Sequence, residues 1–166
     1  MSYLIRPIEQ DDVPFLWEML FYAAHMSEDG LTTSEPAKRD PHLNIYVDGW
    51  GRDGDYGFIA YTPQTRQNIG AAWLRLIISD KTNYGYYDDA TPELAIAVIP
   101  EMMGRGIGSL LLSALIDSAK TQYPAIILTV RSENPAKNLY KRNGFIVIDE
   151  VINRVGTKSS KMLLKF

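Results

Sequence analysis

Cysteine is absent from the 166 residues, and histidine occurs only twice. Without Cys there is no disulfide framework, no thiolate metal site and no Cys nucleophile. His25 and His42 are isolated from each other and have no ligand spacing around them, so no metal centre is expected. No apolar run approaches the ~18 residues of a membrane span, and the opening MSYLIRPIEQDD lacks the apolar core of a signal peptide. Basic excess is also missing. Seventeen Lys+Arg stand against 20 Asp+Glu for a formal net charge of −3, and the sequence pI is near 5.4, which disfavours a nucleic-acid footprint. What is present is ordinary globular material, 46 % apolar and 22 % charged. The length suits one domain over residues 1–166, able to bury ~70 % of its unfolded surface. The expectation is a soluble, cytoplasmic domain without membrane or nucleic-acid partners.

Hydrophobic spacing lays out the elements. Tyr3–Arg6 reads as a strand halted by Pro7. Asp11 or Asp12 offers an N-cap to a helix carrying Val13, Leu16, Trp17, Leu20, Phe21 and Ala24 on one face, with Pro14 tolerated in its first turn. From His25 to Gly57 the pattern is poor, punctuated by Pro36, Pro41, Gly49, Gly51, Gly54 and Gly57, with at most a short helix over 34–39. So long an irregular stretch is either a misread element or a functional loop region. Tyr56–Tyr61 and Ile69–Ile78 form an antiparallel hairpin, and a tyrosine-rich link over 83–89 leads to strand Glu93–Ile99, ended by Pro100. Helix 107–121 presents Ile107, Leu110, Leu111, Ala114, Leu115 and Ala119 on one side. Strand 125–130 is a continuous apolar run, as burial on both faces demands. Helix 135–142, capped by Gly144, strand 145–151 and strand 161–166 complete the chain. The class is α/β (α+β): a mixed, mostly antiparallel central sheet with a βαβ unit, which should cross over right-handed, flanked by helices.

The chemistry concentrates in Val98-Ile-Pro-Glu-Met-Met-Gly-Arg-Gly-Ile-Gly-Ser109. Gly104, Gly106 and Gly108 sit between a strand and an amphipathic helix, where backbone N–H groups and the positive end of the helix dipole suit a phosphate or pyrophosphate. Arg105 adds a charge within reach of the same anion. A dinucleotide G-x-G-x-x-G fails, because its third glycine falls on Ser109 or Leu111, and no P-loop string exists. A glycine turn with no ligand remains open on this segment alone.

A second motif, Asn134-Pro-Ala-Lys-Asn-Leu-Tyr140-Lys-Arg-Asn-Gly-Phe145, stands one helix and one strand further on. Together with Val98-x-Pro100 and the glycine turn, it resembles the GNAT superfamily of acetyl-CoA-dependent N-acetyltransferases over residues 93–145. The resemblance implies a GNAT-like fold with a βαβ acetyl-CoA-binding core. It implies that Ala97 and Val98 hold the pantetheine arm and acetyl carbonyl through their backbones. The turn Met103, Gly104, Arg105, Gly106, Ile107, Gly108 and Ser109 would hold the pyrophosphate, Asn134 would hydrogen-bond the pantetheine, and Tyr140 would lie near the thioester sulfur. Met103 departs from the family, which usually has Gln or Arg there; weaker cofactor binding is expected, with Arg105 a partial substitute.

Acetyl transfer to a primary amine needs an acceptor for the amine proton and a donor for the leaving thiolate. The resemblance points to Glu93 for the first and Tyr140 for the second. Glu93 reads equally as an exposed residue at a strand end, and Tyr140 has a lesser alternative as core packing. Asp88 and Asp89 rank below Glu93, as solvated loop carboxylates. No metal is needed, and the lack of Cys favours direct attack in a ternary complex. The acceptor side points to 25–29, 48–57, Tyr84, Tyr86 and Tyr87, where Glu28, Asp29, Asp53, Asp55 and aromatic rings would suit a cationic amine, small or peptidic; ordinary solvated loops remain the alternative. A non-catalytic acyl-CoA-binding or regulatory module is the alternative for the whole chain, motivated by Met103. Strand 161–166 offers an edge for a homodimer.

Overall fold

The computed structural model describes residues 2–77 and 85–166. Seven strands form one sheet in the order β1-β2-β3-β4-β5-β7-β6. They are β1 (Leu4–Pro7), β2 (Tyr56–Tyr61), β3 (Asn68–Arg75), β4 (Glu93–Val98), β5 (Ala125–Arg131), β6 (Ile146–Ile152) and β7 (Lys158–Lys165); the helices are α1 (Val13–Ala23), α2 (Ile107–Ala119) and α3 (Ala136–Arg142). The β1/β2, β2/β3, β5/β7 and β6/β7 pairs are antiparallel, whereas β4 and β5 run parallel with Glu93 opposite Ile127. The expected mixed sheet, its hairpin and the parallel strands around α2 are all present. Position 78 and the link up to Tyr84 lie outside the described residues.

The chain divides into two compact units, residues 1–75 with 95–115 and residues 76–94 with 116–166. In the first, α1 buries Leu16, Met19 and Leu20 almost completely, each worth about 1.5–3 kcal/mol by transfer. Asp12 does occupy the N-cap position of α1, but it makes no side-chain cap bond to that helix. Its carboxylate turns back instead, accepting from the Glu9 N–H at 2.7 Å and from both Arg6 Nη atoms at 2.8 Å. The irregular stretch holds two short 3₁₀ turns, Glu35–Arg39 and Asn44–Tyr46, anchored by buried Met26, Ala37, Leu43 and Val47.

On α2 the expected face needs one correction. Leu110 is exposed, and Leu112 takes its place beside Ile107, Leu111 and Leu115 in the core. In the second unit, α3 ends at Gly144 as expected, with the Phe145 N–H returning to the Tyr140 carbonyl at 3.1 Å. Strand β7 starts at Lys158, three residues earlier than its apolar run suggests. Ser159 and Ser160 are buried there, Ser160 against Ser132 Oγ at 3.3 Å and Ser159 accepting from Asn153 Nδ2 at 3.0 Å.

Candidate active site

In the first unit, Ala97 and Val98 end β4 and lead through a 3₁₀ turn, Pro100–Met102, into the glycine segment. The Ile99 N–H donates to the Ile69 carbonyl at 2.9 Å and fixes this exit on β3. Gly104 and Gly106 have φ of +77° and +80°, left-handed conformations that favour glycine, and a Cβ on either would meet nothing within 4 Å. The glycines are therefore required by backbone shape, and the outer side of the turn is open. Ile107 is buried and anchors the helix start, while Met103 to Gly106 and Ser109 face solvent.

At the start of α2 the Leu110 N–H donates to the Gly106 carbonyl at 3.1 Å. Helix geometry leaves the N–H groups of Ile107, Gly108 and Ser109, which precede it, with no intrahelical acceptor. An exposed turn, left-handed glycines and helix-start donors together suit an anion such as a phosphate or pyrophosphate. Arg105 brings a cation to the same turn, and the side chain of Met103, which is 67 % exposed, has no N–H or O–H to donate.

The second unit holds the other candidate residues. Glu93 is only 2 % exposed, which overturns the exposed strand-end alternative. Gly85 lies directly against it: a Cβ there would collide with the Glu93 carboxylate. Tyr140 is buried on α3, edge-on to Phe145 with ring centroids 6.0 Å apart. Burial pushes its phenol up to about 12, so it stays protonated through the neutral range. Asn134 Oδ1 accepts the Ala136 N–H at 2.9 Å and so opens α3.

On the expected acceptor side, Asp55 reads in sequence as an amine-attracting carboxylate or as a solvated loop residue, and its burial overturns the second reading. Its side chain is 2 % exposed and pairs with Arg75, which is 1 % exposed. Arg75 is the buried charge that sequence reasoning missed, and its one signal was a lone cation inside the apolar run Ile69–Ile78. It also donates to the Ile45 and Asp48 carbonyls, and Trp73 Nε1 donates to the Tyr46 carbonyl at 2.9 Å, so β3 fastens the 45–55 loop at several points. Glu28, Asp29 and Asp53 are exposed, and His25 pairs with Glu28. Tyr86 donates to Asp89 at 2.6 Å, and Asp88, Asp89 and Tyr87 are exposed. Among the described residues no cluster of three or more His, Asp or Glu could hold a metal, and no helix is long and apolar enough to cross a membrane.

A family model described as the acetyltransferase (GNAT) domain matches residues 48–147, more than half of the chain. The chain belongs to the GNAT acetyltransferase family. It is an acyltransferase, with a fold shared by many solved GNAT proteins. A ribosomal-protein-alanine N-acetyltransferase from Brucella melitensis superposes with a TM-score of 0.71 at 20 % identity, covering 98 % of this chain and 99 % of its own. The yncA protein of Salmonella typhimurium, solved with its cofactor acetyl-CoA, gives 0.69 at 20 % identity, covering 99 % and 94 %. Mutant forms of the spermidine/spermine N-acetyltransferase from Vibrio cholerae give 0.64 at 18 % identity, covering 99 % and 95 %. At these identities the likeness to this GNAT domain is one of fold. No curated protein sequence matches the chain.

Proposed function

We propose that this GNAT domain, taken as residues 1–166, transfers acetyl from acetyl-CoA to a primary amine by direct attack in a ternary complex. The observation that carries the reading is the turn with φ near +80° at Gly104 and Gly106, opening α2 inside the β4-α2-β5 unit of a GNAT match. Acetyl-CoA, when bound, supplies the acetyl group as an activated thioester. The N–H groups from Gly104 to Ser109 hold its pyrophosphate, and the backbones of Ala97 and Val98 and the amide of Asn134 hold its arm. Glu93, shielded from bulk water, takes the proton of the attacking amine through an Oε atom. Tyr140 keeps its Oη proton at neutral pH and gives it to the departing sulfur.

The acceptor we favour is a small cationic amine of the polyamine kind. Support comes from the exposed acidic groups Glu28, Asp29 and Asp53 and from the spermidine acetyltransferases among the fold relatives. Calorimetric titration with acetyl-CoA, followed by a free-thiol assay over polyamines, amino acids and peptide N-termini, tests the reading. Micromolar cofactor binding and thiol release dependent on a polyamine are expected. Binding with no thiol release from any amine would reject transfer to amines and leave a binding module.

A further inference from the structure

Five residues of the second unit share one face of the sheet. Glu93 on β4 stands opposite Ile127 on β5, and Ile127 opposite Leu163 on β7; two residues along, Thr129 stands opposite Lys161. Side chains paired laterally, or two apart along a strand, point the same way. Ile127 and Leu163 join Ala125 in a buried apolar cluster on that face.

One short piece of chain crosses it. At one end the buried backbone of Gly85 touches the Glu93 carboxylate so closely that a Cβ would collide with Cδ and both Oε atoms. At the other end Lys161 Nζ donates to the Tyr86 carbonyl. The piece therefore reaches from β4 to β7, with β5 between them in the sheet order. Beyond it the Tyr86 hydroxyl donates to Asp89 at 2.6 Å and closes the outer side of the same segment.

We propose that Gly85 and Lys161 are positioning residues for the reaction: they seat the Gly85–Tyr86 backbone as a fitted cover that fixes the Glu93 carboxylate and keeps water from it. The inference rests on Glu93 serving as the proton acceptor. Its chemical logic is geometric. A base must meet the amine proton at hydrogen-bond distance, and a displacement of about 1 Å costs on the order of 10²-fold in rate. A methyl group at position 85 has no room unless the carboxylate or the cover moves. Loss of the Lys161 ammonium frees the far end of the cover without touching Glu93.

The test compares Gly85→Ala, Lys161→Met, Glu93→Gln and the double variant Gly85→Ala/Glu93→Gln, with Gly156→Ala, which strains a left-handed backbone but meets no neighbour, as a control for destabilisation alone. Acetyl-CoA and the most active amine of the panel are the substrates. Gly85→Ala should lower kcat at least tenfold while leaving KM for acetyl-CoA within about twofold. In the Glu93→Gln background it should cost no further activity, because no proton-accepting carboxylate remains to be misplaced. Carbon-13 NMR of labelled glutamate side chains, with the Glu93 signal assigned by its loss in Glu93→Gln, reads the same point without turnover. That signal should move in Gly85→Ala and Lys161→Met but not in Gly156→Ala. If Gly85→Ala lowers the melting temperature, Lys161→Met carries the comparison. An unmoved Glu93 signal in both variants, or a Gly85→Ala loss that persists undiminished with Gln at 93, overturns the proposal. Full activity in Glu93→Gln instead rejects Glu93 as the acceptor, while the NMR arm still reports whether the cover seats it.

Discussion

Arg75 and Asp55 meet as a two-pronged ion pair, Nε to Oδ1 at 3.0 Å and Nη2 to Oδ2 at 2.8 Å, with both side chains almost wholly buried. The remaining guanidinium nitrogen, Nη1, donates to the Ile45 and Asp48 carbonyls at 3.0 and 2.6 Å, and Trp50 lies 5.6 Å over the cation. Asp55 Oδ2 also accepts the N–H groups of Gly51 and Arg52. Every polar edge of the pair is used to tie an irregular loop to β3. Breaking such a pair strands a buried charge, so Arg75→Met should cost about 3–5 kcal/mol. Arg75→Lys should also destabilise, since an ammonium cannot reproduce the fork. Urea denaturation of each variant measures the loss. Arg75→Met combined with Asp55→Asn should lose less than the sum of the single changes.

A second ion pair sets the acid behaviour of the N-terminal strand. Burial alone would raise the Asp12 carboxyl, but the bonds from Arg6 and from the Glu9 N–H outweigh it and hold the group below the usual carboxylate value. The folded value is thus the lower one. Its stabilisation is complete above the ordinary carboxylate range and fades as pH falls through the folded value. Asp12→Asn should lose about 1–3 kcal/mol at pH 7, the scale of a charge-assisted hydrogen bond, and the gap to the unaltered protein should narrow towards pH 2. Urea midpoints at the two pH values decide it.

The glycine turn separates backbone shape from ligand contact. Gly104→Val has open space around it but a φ of +77°, so the cost is conformational, about 1–2 kcal/mol. It should weaken acetyl-CoA binding by tenfold or more as the N–H groups lose their aim. Met103→Arg adds a cation beside the same turn and should tighten acetyl-CoA several-fold with little change in stability. Calorimetric titration of both variants checks this, and an unaltered affinity in both would remove the turn from the cofactor site.

Much of this arrangement is legible along the chain because the signals are local. The spacing from Leu16 to Phe21 marks α1, Pro100 stops β4, and Gly144 closes α3. Other features depend on what arrives from far away in sequence. The apolar run Leu94–Val98 marks a strand, yet it cannot show that Gly85 covers the carboxylate of Glu93 before it. Ser159 and Ser160 look like loop residues until Ser132 and Asn153 satisfy their hydroxyls. Arg75 breaks an apolar run, and only Asp55, 20 residues earlier, explains it. Leu110 and Leu112 flank one apolar stripe of α2, and the helix period alone does not choose between them.

In the proposed reaction, Tyr140 would tie catalysis and alkaline stability to one proton. Burial pushes its phenol up to about 12, against about 10 in an unfolded chain. With the folded value higher, its stabilisation is intact below pH 10 and is lost as pH climbs from about 10 towards 12. The loss is on the order of 3 kcal/mol, and Tyr140→Phe, which has no proton to lose, should lack that part of the alkaline decline. Denaturant melts at pH 9, 10 and 11 compare the two. In turnover, the same substitution should lower kcat by roughly 10²-fold, the scale of a single general acid, with KM for acetyl-CoA nearly unchanged because the ring still fills its place beside Phe145. A phenol of such high pKa also cannot impose an alkaline limb near pH 8–9. Any fall in rate there must belong to another group and should survive in Tyr140→Phe; disappearance of that limb in the variant would assign the proton differently.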